Sequence, residues 1–301
     1  MATTFEVALP AATPDAVAAG TDALDLIDEL ESQLTAYRDD SELSRLNAAG
    51  GGPVEPRLFA LLQAAGTLTR DTAGAFDCAT GALVEAWGFR SRQGRVPPGD
   101  VLAAARRASG FRHVVLDAGT VRFLRDGLSI NLGGIGKGYA LDRAAERLRE
   151  RWGVRSALLH AGGSSVRAVG VPPGVPRGWA VAVTHPHADG RTLGTVWLAD
   201  QGFGTSAATF QHFEAGGKKY GHLLDPRTGV PAEGTASASV AAPTAAAADA
   251  LSTAFFVLGT DAAADHCRSR PELAAVLLPD GAEQPTLVGG GPLWYDPPID
   301  G

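Results

Sequence analysis

Residues Ile130 to Leu148 read INLGGIGKGYALDRAAERL, with glycines at 133, 134, 136 and 138 around Lys137 and a helical pattern after them. Glycine carries no Cβ, and the first turn of a helix leaves N–H groups unpaired. A segment of this kind therefore folds as a tight turn into a helix, and its amides and one ammonium can approach a phosphate closely. A nucleotide-like ligand is the first candidate. A G-x-x-x-x-G-K-[ST] phosphate loop is not matched, because Gly138 follows Lys137 and supplies no hydroxyl for magnesium. The G-x-G-x-x-G dinucleotide pattern is not matched either, since the spacing differs and no β-α-β unit opens the chain.

The 301 residues, 45% hydrophobic and 20% charged, are enough to bury a substantial core in a soluble globular protein. The Pro/Gly-rich breaks at Gly50 to Pro53, Val96 to Gly99 and Val171 to Gly178 read as surface turns of a single domain spanning 1–301, because apolar segments continue on either side. A net charge of −7, with no basic cluster interleaved with aromatics, argues against a nucleic-acid partner. No apolar run approaches the ~18 to 20 residues of a membrane span, and Met1 to Pro10 lacks a signal-peptide pattern, so a cytoplasmic location is expected. Cys78 and Cys267 are far apart and show no ligand spacing; buried free thiols are expected.

The hydrophobic pattern predicts a strand at Thr4 to Leu9 and a long helix at Thr13 to Tyr37, with Val17, Leu24, Ile27, Leu30 and Leu34 at helical spacing. Leu58 to Thr72 and Pro98 to Ala108 also read as helices. Short strands are expected at His113 to Leu116, Val121 to Leu124, Leu128 to Leu132, Ala157 to His160, Val166 to Gly170, Trp179 to Thr184, Thr192 to Leu198, Gly217 to Leu224 and Ser237 to Ala242. Helices at Gly138 to Trp152, Ala246 to Leu258 and Ala262 to Ser269 interrupt them. Such a mixture predicts an α+β fold with largely antiparallel sheets covered by helices.

Three further segments carry chemistry. In Pro243 to Gly259, Asp249 and Thr253 lie one helical turn apart, so a carboxylate and a hydroxyl share a face. Both are hard oxygen donors suited to Mg2+, and a helix-surface hydrogen bond is the simpler alternative. In Lys218 to Pro231 an apolar strand carries His222, a candidate general base, into the turn DPRTG. Upstream, YRDDSELSRLN and GAFDCATGALVEAWGF place polar and aromatic residues at turns. Tyr37, Phe76, Trp87 and Phe89 are able to stack on a planar ring or to fill a core, and Asp77 can accept from a ligand hydroxyl or cap the following segment.

In this order the segments resemble the ApbE family of FAD:protein FMN transferases. The likeness spans nearly the whole chain: an MGT-like start at Met1 to Thr3, SELSRLN at 41–47, GAFD at 74–77, WGF at 87–89, GGIGKGYALD at 133–142, AGG at 161–163, TS at 205–206, HLLDPRTGVP at 222–231, and the Asp249/Thr253 helix. The resemblance implies an ApbE-like architecture related to the T-fold. It also implies a Mg2+-dependent transfer of FMN from FAD to a Thr or Ser hydroxyl of a target flavoprotein, with AMP released. Carried onto this chain, Met1, Tyr37, Ala75, Phe76 and Asp77 would line the flavin site, Asn131 and Lys137 would contact the nucleotide, and His222 and Leu223 would complete it. Asp249, Thr253 and the Gly134 carbonyl would hold the metal.

Four positions depart from the family pattern. Asn131 replaces the acid before LGG and removes a negative charge beside the ligand. Ala2 stands within the MGT-like start, Ser164 replaces the acid after AGG, and Ala207 replaces the glycine after TS. Two other functions compatible with these motifs are a metal-dependent FAD pyrophosphatase giving FMN and AMP, and a non-catalytic FAD-binding protein.

Overall fold

The computed structural model describes residues 3–91, 93–188, 190–207 and 212–298. In chain order its elements are β1 (Phe5–Ala8), α1 (Ala16–Leu34), α2 (Glu42–Ala49), β2 (Gly51–Pro53), α3 (Pro56–Asp71), α4 (Gly81–Ala86) and α5 (Gly99–Ala108). Then come β3 (Val114–Asp117), β4 (Thr120–Phe123), α6 (Gly136–Trp152), β5 (Ala157–Ala161), β6 (Ser165–Val169), β7 (Trp179–Thr184), β8 (Thr192–Leu198) and β9 (Gly202–Ala207). The last are β10 (His212–Ala215), β11 (Lys218–Gly221), β12 (Thr235–Ala242), α7 (Ala245–Arg268), β13 (Ala274–Pro279), β14 (Thr286–Gly289) and β15 (Trp294–Asp296).

The chain divides into two compact units, each assembled from separated segments: Met1–Glu31, Ile135–Ala207 and Thr235–Gly301 form the first, and Ser32–Gly134 with Ala208–Gly234 the second. Every strand pairing is antiparallel, as the α+β reading expects.

In the first unit a seven-stranded sheet runs in the order β1-β5-β6-β9-β12-β13-β14, and a second sheet in the order β15-β8-β7. Val166, Phe203, Val276 and Leu278 of the large sheet meet Val183, Leu193, Val196 and Leu198 of the small one in a common core. Every residue of the interior strand β12 is buried, which fits a strand packed on both faces. Helices α6 and α7 lie against the large sheet. Helix α7 is broken at Gly259, with φ 76° and ψ 177°, so its two straight parts correspond to the two separate helices that the pattern predicts.

The second unit holds the β2-β4-β3 sheet, the β10-β11 hairpin and helices α2 to α5. Its core brings together Leu83, Trp87, Phe89, Ala105 and Leu224. Trp87 lies 5.6 Å from Tyr220 between ring centroids and donates its indole N–H to the Gly229 carbonyl at 2.8 Å. The WGF segment and the segment leading to His222 are thereby packed together.

Several local expectations are corrected. SELSRLN is a helix, not a turn: Ser41 accepts from the Ser44 N–H at 2.9 Å as its N-cap, and Gly50 closes it with φ 70°. GALVEA likewise forms α4. Leu128 to Leu132 joins no sheet, because its backbone bonds go elsewhere: Ile130 N–H to Asn47 Oδ1 at 2.8 Å and Asn131 N–H to the Cys78 carbonyl at 2.7 Å. The buried stripe of α1 runs through Ala19, Ala23, Leu26, Ile27, Leu30 and Leu34, whereas Val17 is 85% exposed.

Candidate functional site

Strand β9 reads GFGTSA, and residues 202, 204 and 206 share one face of it. A Cβ at Gly202 would collide with the Thr244–Ala245 backbone, and one at Gly204 with the backbone of Ala248 and Asp249. The two glycines thus let the start of α7 lie directly on the sheet, the use of strand glycine where another backbone comes close. The next residue on that face, Ser206, meets α7 one turn further along, with its hydroxyl 2.9 Å from Ser252 Oγ and 3.2 Å from Thr253 Oγ1.

Helix α6 makes the same close approach through Gly138, where a Cβ would strike the Ala245 carbonyl. Because the obstacle is backbone on a packed helix, Gly138→Ala is expected to destabilise the fold by about 1–3 kcal/mol. Chemical denaturation of the variant would measure this, and an unchanged midpoint would contradict it.

At this contact each helix caps the other. Asp142, four residues after Gly138 on the same face of α6, accepts the N–H groups of Ala245 and Ala246 at 2.9 Å each, one with each carboxylate oxygen. Thr244 Oγ1 takes the N–H of Ala247 at 3.1 Å, so two side chains satisfy three amides at the α7 terminus. In the other direction, Asp249 Oδ2 accepts the Gly138 N–H at 2.7 Å, while Ile135 at the N-cap of α6 offers no side-chain bond. Asp142 and Asp249 are 6% and 5% exposed. Arg167, itself 9% exposed, stands 3.5 Å from Asp142 and donates to the Pro243 carbonyl at 2.6 Å.

Burial pushes the Asp249 carboxyl above its ordinary range, against the pull of the Lys137 charge, the Ser165 hydroxyl and the Gly138 amide. A nearly sealed carboxylate whose ionisation burial opposes is suited to a cation. Thr253, half-buried one turn further along α7, adds a hydroxyl oxygen. This carboxylate-plus-hydroxyl set fits a hard ion such as Mg2+, which completes its shell with phosphate and water. Among the described residues no group of three His, Cys, Asp or Glu is placed to hold a metal, so an all-side-chain cage of that kind is not built here.

The second unit holds the other residues singled out in the sequence. Asn131 folds back to accept the Gly133 N–H at 2.8 Å, and its own N–H reaches the GAFD segment at Cys78. Gly134 sits half-buried in the turn that ends this unit. Of the two roles open to Asp77, the capping one is seen: its carboxylate accepts the N–H of Ala79 at 2.7 Å and that of Phe111 at 2.9 Å, while burial pushes its pKa up. Ala75 and Phe76 are buried, as are Trp87 and Phe89, so these rings are core residues; Tyr37 is 66% exposed. His222 is half-buried just beyond β11 and not within a strand, and Leu223 accepts the Ala232 N–H at 2.8 Å. Met1 lies outside the described residues.

Asp142 and Ser206 stand in the GGIGKGYALD and TS motifs but received no role from the sequence, and Ser252 and Arg167 were not singled out at all. Asp142 carries a legible signal, since it stands at i+4 from Gly138 and shares its helix face. Ser252 carries none, and the TS motif marks Ser206 without showing its partners, because a strand register is needed to bring β9 to α7.

The ApbE family model matches residues 1–277. A Treponema pallidum protein named FAD:protein FMN transferase is 36% identical over 272 residues, covering 84% of this chain and 75% of its own, and a Vibrio cholerae protein of the same name is 30% identical, covering 86% and 79%. Among solved structures, the ApbE protein of Thermotoga maritima superposes with a TM-score of 0.85 at 27% identity, covering 95% of this chain and 93% of its own. The flavinyl transferase ApbE of Pseudomonas stutzeri, in its apo form, gives 0.82 at 27% identity, with 96% and 95% covered. With its motifs in family order and the family match running through both units, the chain belongs to the ApbE family.

Proposed function

We propose that this protein is a Mg2+-dependent FAD:protein FMN transferase, with residues 1–301 serving as a single functional domain. The observation that carries the reading is the buried Asp249 carboxylate, with Thr253 one turn away and Lys137 close enough to act on its charge, in a chain whose relatives bear that name. A Thr or Ser hydroxyl of the acceptor protein attacks the flavin-side phosphorus of FAD; the new P–O bond forms as the pyrophosphate P–O bond breaks, and AMP leaves. Asp249 and Thr253 would hold Mg2+, which when bound would supply neutralising charge for the phosphate oxygens. Lys137 adds a second positive charge to the developing phosphate. His222 takes the hydroxyl proton. Tyr37, Asn131 and Leu223 belong to the flavin-binding set, with Asn131 offering hydrogen bonds without charge, and Ala75, Phe76 and Asp77, whose side chains are packed or capping, would line it through their backbone.

Incubation of the protein with FAD, Mg2+ and a candidate acceptor tests this directly by mass spectrometry. An acceptor mass gain matching FMN supports transfer. Free FMN and AMP with an unmodified acceptor would make the protein a pyrophosphatase, and bound but intact FAD would make it a binding protein. His222→Ala is expected to lower the rate by about 10²- to 10⁴-fold with FAD affinity mostly retained. Titration of FAD into the variant checks this, since loss of binding would reassign His222 to ligand contact.

A further inference from the structure

Against a net charge of −7, one face of the second unit gathers cations. Two adjoining cavities, ≈ 760 and 360 Å3, share Arg107 and Arg112 in their lining. The larger adds Arg125 and His113, with Asp126 as its acid; the smaller adds Arg106 and Arg227. Arg227 is already paired with Asp225, and Arg106 donates to the Arg227 carbonyl at 3.2 Å. Arg107, Arg112 and Arg125 enter no ion pair among the described residues.

The cluster is built on ordered chain. Arg107 lies in the last turn of α5, where a positive charge also complements the helix dipole. Arg112 and His113 sit in a 3-10 turn whose first N–H is held by Asp77, and a side chain at Gly110, with φ 113°, would strike the Arg112 guanidinium. Desolvation first, then the neighbouring Arg112 and Arg125 charges, push the His113 pKa down, with Asp77 acting in the opposite sense. Guanidinium groups spread along an open groove are matched by several carboxylates on an extended chain better than by one small anion.

We propose that this groove receives an acidic segment of the acceptor protein, so that Arg107, Arg112 and Arg125 hold the acceptor by charge pairing with Asp and Glu side chains. The identification of that partner as the acceptor rests on the transferase reading; the existence of the groove as a carboxylate-binding site does not. Such pairing accelerates encounter and selects partners, and it weakens with salt.

The test uses the full chain and a short glutamate-rich peptide, with binding followed by fluorescence anisotropy at low and high salt and in the absence of FAD. The expected result is salt-sensitive binding that falls about tenfold or more in Arg107→Gln/Arg125→Gln and is largely retained in Arg107→Lys/Arg125→Lys. No binding to the wild-type chain, or equal binding by the Gln variant, would overturn the proposal. Displacement of the peptide by an equal concentration of inorganic phosphate would overturn it too, in favour of a free-anion site. FAD titration of the same proteins separates the two ideas: unchanged FAD affinity in the Gln variant is expected, while a wild-type chain that binds the peptide but not FAD would sink the transferase reading and leave the groove standing.

Discussion

Replacing Asp249 with alanine is expected to remove metal-dependent turnover while leaving the fold largely intact. The side chain is 5% exposed and burial already opposes its ionisation, so in the proposed reading a bound cation would offset the cost of holding a carboxylate there. Its loss frees the Gly138 N–H, a penalty of about 1–3 kcal/mol, and relieves the desolvated charge, so the two effects on stability oppose each other. Catalysis has no such compensation. We expect a fall on the order of 10²-fold or more in turnover at limiting Mg2+, with the thermal midpoint shifted little. Activity against Mg2+ concentration, recorded alongside a melting curve, decides it; wild-type activity at limiting Mg2+ would overturn the metal assignment.

The second large effect is expected on stability, at Asp142. Asp142→Ala strips the hydrogen-bond partner from the Ala245 and Ala246 amides and leaves Arg167, 9% exposed, without its buried counter-charge. Removing one partner of a buried charge pair costs about 3–5 kcal/mol, and the unsatisfied amides act in the same direction. The damage falls on the first turn of the helix that carries Asp249 and Thr253, so Mg2+ affinity is expected to weaken even in protein that remains folded. Asp142→Asn keeps an acceptor for one amide and should lose less. Urea unfolding of the two variants, with Mg2+ titration of each below its transition, checks both halves. An alanine variant as stable as the parent would show that the reciprocal cap contributes little.

The legibility of this chain was uneven for physical reasons. Strands with strong β-propensity, such as β7 and β8, stand at the residues that alternation marks, and α3, α5 and α6 begin and end within about two residues of their expected bounds. Strand β9 was not legible, because GFGTSA has neither propensity nor apolar alternation; its place between β6 and β12 is won by the close seating of α7 on its glycines. Leu128 to Leu132 misled in the opposite sense, as its strand-like composition serves a buried connection whose polar groups are met by Asn47 and the Cys78 carbonyl. The aromatic residues of GAFD and WGF are visible as residues but not as roles, since burial separates a core ring from an exposed one only after folding.

The glycine-rich turn, the helix it opens, the i,i+4 pair Asp249 and Thr253, and the family were all determined by the order of residues, because backbone freedom, helical periodicity and motif order are local properties. What only the tertiary structure decided is the setting of that pair. Gly138 and Asp142 meet α7 across more than a hundred residues of sequence, and that long-range contact turns a common helical pair into a buried carboxylate tied to a second helix terminus. Desolvation and reciprocal capping are properties of packed elements, and no stretch of sequence carries them alone.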